Sequence, residues 1–114
     1  MEIRLSDDAD YLLCVLYSEY RQRRKNGELA RKAKAFGSSE DIQSGLMPDW
    51  PVDDIDEAAR ELFRNDMVSV LFADGVVYDC SLSSDGIAYM EHRFSDKFDK
   101  LTQRIATLRT ILFG

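Results

Sequence analysis

Two short apolar runs, Val68-Ser69-Val70-Leu71-Phe72 and Val76-Val77-Tyr78-Asp79-Cys80, flank the dipeptide Asp74-Gly75. A two-residue hairpin turn needs positive φ at both central positions, which Asp and Gly tolerate better than most residues. The pair therefore predicts an antiparallel ribbon that closes at 74–75. Alternation along the runs (Val68, Val70, Phe72; then Val76, Tyr78, Cys80, Leu82) predicts the face that docks. Two strands alone are marginal in water, so this ribbon must rest on helices.

The flanking sequence supplies them. Ser6 is a good N-cap, and Asp7, Asp8 and Asp10 suit the positive end of a helix dipole. Leu12, Leu13, Val15, Leu16, Tyr17 and Tyr20 then form a wide apolar stripe, which basic residues and Asn26-Gly27 close. Glu28 to Phe36 reads as a short helix or a connector. Ser38 caps a further short helix by meeting the amide of Asp41, and Met47-Pro48-Asp49-Trp50-Pro51 stops it. Trp50 is placed to plug the joint between helices. Val52 to Asn65 is strongly amphipathic, with Val52, Ile55, Ala58, Ala59, Leu62 and Phe63 on one face. After the ribbon, Ser83 caps a helix running to about Arg93, with Ile87 and Met90 inward.

Ser95 opens a last helix. Phe94, Phe98, Leu101, Ile105, Leu108 and Leu112 recur at intervals of 4, 3, 4, 3 and 4 residues. This is a heptad-type seam about 27 Å long. It can pack on the first helix or on a second copy of itself. Its narrowness favours the second copy, so the seam is expected to form a homodimer.

Three helices followed by a two-stranded wing describe a winged helix-turn-helix, an α+β and mostly helical fold. Residues 1–94 are expected to form that domain, with 95–114 as an added helix of the same domain. The motifs Phe36-Gly37-Ser38-Ser39-Glu40, Pro48-Asp49-Trp50, Val52-Asp53-Asp54 and Glu61-Leu62 resemble small winged-helix proteins of bacteria and phages, the YjcQ-like group. Ala73-Asp74 and the stretch from Leu82 through Gly86-Ile87-Ala88-Tyr89-Met90-Glu91-His92-Arg93-Phe94 extend the likeness, which covers about residues 6 to 94. The resemblance implies the fold and a regulatory or nucleic-acid-binding role; it carries over no functional residue. Pro51 stands where a capping Ser or Thr is usual, and Met67-Val68 replaces the usual Gly-aromatic lead into the wing.

Charge bears on that role in two directions. The chain of 114 residues has a net charge of −6, yet Arg21 to Lys34 alone carries +6. Arg21, Arg23, Arg24, Lys25, Arg31, Lys32 and Lys34 are therefore the candidates for gripping duplex DNA, the alternative being a solvated patch that complements the acidic remainder. The helix from Val52, which would enter the major groove, instead presents Asp53, Asp54, Asp56 and Glu57 before its first cation, Arg60. Such a surface is repelled by phosphates. Two readings follow. One is a homodimeric DNA-binding transcriptional regulator using the basic segment. The other is a protein-interaction module of phage or mobile-element origin that does not bind DNA, with Asp53, Asp54, Glu57, Arg60, Glu61 and Arg64 meeting a basic partner.

Catalysis is not expected. No nucleophile elbow, phosphate loop or paired-Cys motif occurs, so no enzyme activity, metal or cofactor is assigned. Cys14 and Cys80 lack ligand spacing and read as small core fillers, and His92 stands alone among polar neighbours. No apolar run of membrane-spanning length is present, and the start Met1-Glu2-Ile3-Arg4 lacks a signal-peptide pattern. A cytoplasmic location is the expectation.

Overall fold

The computed structural model describes residues 3–94 and 98–113, and for 98 and 99 the backbone alone. In chain order the elements are α1 (Asp7–Lys25), α2 (Ala30–Ala33), β1 (Ala35–Gly37), α3 (Ser39–Leu46), α4 (Val52–Arg64), β2 (Val68–Ala73), β3 (Val76–Leu82), α5 (Ser84–Phe94) and α6 (Phe98–Phe113). The fold is α+β and mostly helical, with a three-stranded antiparallel sheet in the order β1-β3-β2. Among the described residues no helix is long and apolar enough to cross a membrane.

Local chemistry sets most boundaries. Ser6 Oγ accepts the Ala9 amide at 3.2 Å, and Gly27, at φ +91°, turns the chain out of α1. Ser38 and Asp41 form a reciprocal capping box, each side chain taking the other's amide at 3.1 and 3.0 Å. Ser83 Oγ accepts the Gly86 amide at 2.9 Å to open α5. No side chain could replace the hydrogen at Gly86, since a Cβ there would lie 2.0 Å from the Met67 carbonyl oxygen. Asp74 and Gly75, at φ 52° and 78°, make the two-residue turn of the β2–β3 hairpin.

The sheet departs from the sequence expectation twice. First, it has three strands rather than two. Part of the segment read as helix or connector is β1, which pairs Ala35 with Ser81 and Gly37 with Cys80. Second, the β2–β3 register slips between Leu71, opposite Asp79, and Phe72, opposite Val77. Tyr78 is left as the extra residue of a β-bulge, and the bulge reverses which side chains face inward. Val77 is buried, whereas Val76 and Tyr78, expected to dock, are 53% and 61% exposed. Cys80 and Leu82, on the near side of the bulge, keep the expected inward phase.

One hydrophobic cluster unites α1, α3, α4, α5 and α6 with the sheet. Trp50 sits in it as a plug, stacked on Tyr11 at 5.4 Å and edge-on to Phe113 at 5.9 Å. Its Nε1 is buried without a hydrogen-bond partner, a cost of about 1–3 kcal/mol that the ring burial must offset. Phe63 is less buried than its place in the stripe suggests, at 42% exposed, and meets Phe72 edge-on. The C-terminal seam faces α1. Leu101 and Leu108 are fully buried, Phe94 nearly so, and Ile105 and Leu112 pack half-buried against the same core. Arg109 Nη1 donates to Tyr11 Oη at 3.3 Å across that contact. Of the two surfaces open to the seam, the structure therefore supplies the first helix of the same chain, and a dimer through these residues would have to open the core. Phe98's side chain lies outside the described residues.

Candidate functional site

Between the N-terminal half of α4, the start of α3 and the β3 end of the hairpin lies a groove of about 430 Å³. Asp56 builds it. Its Oδ1 accepts from Ser39 Oγ at 3.0 Å and from the Val77 amide at 2.8 Å, and its Oδ2 from Arg60 Nε at 2.7 Å. One carboxylate thus ties α3, α4 and β3 together. Arg60 continues the brace by donating through Nη2 to the Gly75 carbonyl while its guanidinium lies 4.9 Å from the centre of the Phe72 ring. Burial pushes the Asp56 carboxyl up, but the bonds from Arg60, the Val77 amide and Ser39 outweigh it and hold the group below the usual carboxylate range.

With Asp56 engaged, the acids left at the groove are Glu40, Asp53 and Glu57, all exposed. Its apolar walls are Val52, Val76 and Tyr78. No Lys or Arg is among the residues that line it. The bulge on β3 is what turns Tyr78 outward. Removing the brace has a measurable consequence. Asp56→Ala should cost about 2 kcal/mol of stability and speed hydrogen exchange at the Val77 amide at least about tenfold, because charge-assisted hydrogen bonds are lost from a half-buried site.

The six residues expected to meet a partner separate accordingly. Asp53 and Glu57 share the groove. Asp54 instead faces the start of α1, where burial first, then Asp54, Asp7 and Glu61, raise the Asp8 carboxyl. Glu61 is engaged inside the fold, since its oxygens accept the Ser6 amide and Ser6 Oγ, both at 2.7 Å. Arg60 is engaged by Asp56 and Gly75, so both it and Glu61 are bonded within the fold. Arg64 is exposed in the last turn of α4, away from the groove. Glu40, Val76 and Tyr78 were missed by the sequence reading. Glu40 lies in the first turn of α3, and the strand pair is exposed by a register slip that no local pattern signals.

The basic window divides in the same way. Arg23 pairs with Glu19 at 3.3 Å, donates to the carbonyls of Ala33 at 3.3 Å and Ala35 at 2.8 Å, and lies 4.8 Å from the centre of the Phe36 ring. Arg24 donates to the Glu28 carbonyl at 2.7 Å, and Arg21 packs near the Tyr17 ring at 5.8 Å. Arg23 and Arg24 thereby brace the corner between α1 and β1, while the Arg21–Tyr17 contact lies within α1. Lys25, Arg31 and Lys32 are exposed, and Lys34 is half-buried. The Lys34 carbonyl accepts the Leu82 amide at 2.9 Å, at the opposite end of β3 from Val77. Five residues of strand put the basic corner about 16 Å from the acidic groove.

Reactive side chains are scarce. Cys14 and Cys80 are buried, and burial pushes both thiols up to about 12, so they stay protonated at neutral pH. Among the described residues no group of three or more His, Cys, Asp or Glu is placed to hold a metal ion. Compared with known proteins, the chain matches no family model, no curated protein and no solved structure.

Proposed function

We propose that this chain is a winged helix whose α4–wing face binds a cationic segment of another protein, making it a non-enzymatic interaction module. In this reading α1, α3 and α4 are the three helices, β2–β3 is the wing, and β1 completes its sheet. The observation that carries it is the lining of the groove: Glu40, Asp53 and Glu57 with no cation, beside exposed Val76 and Tyr78. A third helix meeting DNA would bring those carboxylates against phosphates spaced about 1.7 Å per charge, which is repulsive. A peptide carrying Lys or Arg next to an apolar side chain complements both properties of the groove.

Fluorescence anisotropy with a labelled lysine–leucine peptide tests this reading. Binding should weaken with salt, and Asp53→Asn with Glu57→Gln should weaken it about tenfold. Asp7→Asn with Asp8→Asn removes the same charge from exposed sites outside the groove and should leave affinity unchanged. Equal loss in both variants would mean attraction to net charge alone and would overturn the proposal.

A second reading, a DNA-binding regulator, is favoured by the outward cations Lys25, Arg31, Lys32 and Lys34. It requires mixed-sequence duplex to bind with steep salt dependence and to be lost on neutralising those four residues.

A further inference from the structure

We infer that the cationic partner is a second copy of this chain, with the α1–α2 corner of one copy seated in the α4–wing groove of the next. This rests on the groove reading above and narrows it to one occupant. Gly27, at φ +91°, turns the chain at the end of α1, and Arg23 holds the corner through the Ala33 and Ala35 carbonyls. It exposes Leu29, at 57%, next to Arg31 and Lys32, with Lys25 and Lys34 alongside. That is an apolar side chain among cations. The groove is its inverse, an apolar wall of Val52, Val76 and Tyr78 edged by Glu40, Asp53 and Glu57. Both surfaces have outward charges because their other ionic groups are engaged: Arg23 and Arg24 hold the corner together, and Asp56 and Arg60 hold the groove.

The contact joins two different surfaces of the chain. It either closes reciprocally between two copies or continues head to tail. A net charge of −6 per chain opposes association over long distances. Salt near 0.1 M screens that repulsion beyond about 10 Å while leaving the short-range pairs in place. Association should therefore be visible at about 0.1 M salt and lost near 1 M.

Sedimentation equilibrium on the full chain, with two neutralised variants, decides the matter. The corner variant is Arg31→Ala, Lys32→Ala, Lys34→Ala; the groove variant is Glu40→Gln, Asp53→Asn, Glu57→Gln. All six side chains are on the surface or half-buried, and circular dichroism confirms that each variant is folded. The expected result is self-association of the unaltered chain with a dissociation constant of about 0.1 mM or tighter. Each variant alone should be monomeric. An equal mixture should form a one-to-one complex and nothing larger, because only one intact corner and one intact groove can meet. An unaltered chain that stays monomeric throughout overturns the inference, as does a mixture that stays unassociated. If the lysine–leucine peptide still binds through Asp53 and Glu57 in that case, the groove reading survives and only the identity of the partner fails. If the corner variant loses duplex binding instead of self-association, the corner serves DNA and the inference is wrong.

Discussion

Leu101→Asp combined with Leu108→Asp should unfold the chain. Both leucines are fully buried in the core that α6 shares with α1. Removing each side chain costs about 2–5 kcal/mol in lost burial and cavity formation. Placing an unpaired carboxylate there adds several kcal/mol per site, or forces the group to bind a proton. A domain of this size has about 5–15 kcal/mol of total stability, so the sum exceeds what it holds. Circular dichroism should show loss of helix, and sedimentation should show an expanded or aggregated chain. Folded monomers would instead mean that the leucines face outward, which is what a seam reserved for a second copy requires.

Asp10→Asn should destabilise the folded state by about 3 kcal/mol, read as a lower urea midpoint. Asp10 is only 5% exposed and receives two arginines. Arg93 donates Nη1 to Oδ1 at 2.6 Å and Nη2 to Oδ2 at 3.1 Å. Arg104 donates Nε and Nη2 to Oδ2 at 3.1 and 2.8 Å. The carboxylate therefore joins α1 to both C-terminal helices, and its loss leaves two guanidinium groups without a counter-charge. Both arginines keep partial contact with water, which holds the cost below that of a fully buried pair. The same site makes stability depend on pH. Burial raises the Asp10 carboxyl, but the hydrogen bonds and charges of Arg93 and Arg104 override it and leave the group below its ordinary value. A carboxyl lowered by folding contributes stability above its unfolded value of about 3.9, and loses it as pH falls through the folded value. Asp56 is shifted in the same direction. The unaltered chain should lose stability below about pH 4, and Asp10→Asn should show a shallower loss over that window.

Features encoded within a few residues were legible in the sequence. Ser6, Ser38 and Ser83 cap helices as their positions suggest, Asp74-Gly75 turns the ribbon, and α4 follows its 3.6-residue stripe. Features that depend on distant partners were not. A strand of three residues such as β1 has no period to detect and exists because β3 lies beside it. The bulge at Tyr78 shifts a register that alternation alone reads as continuous. Asp10 looked like an ordinary helix-start acid, because its arginines lie 83 and 94 residues away. A 4-3 spacing reports an apolar seam without saying which helix fills it, and here α1 does. The acids of α4 stood out as a run, but their division was hidden: Asp53 and Glu57 to the groove, Asp56 to the brace, Asp54 and Glu61 toward α1.

Amide chemical-shift mapping on the ¹⁵N-labelled chain, titrated separately with the lysine–leucine peptide and with mixed-sequence duplex, tests the groove assignment most directly. The peptide should move the resonances of Asp53, Glu57, Val77 and Tyr78, and duplex should leave those four in place. Duplex shifting the first turns of α4 and the wing, with the peptide moving nothing there, would contradict the account.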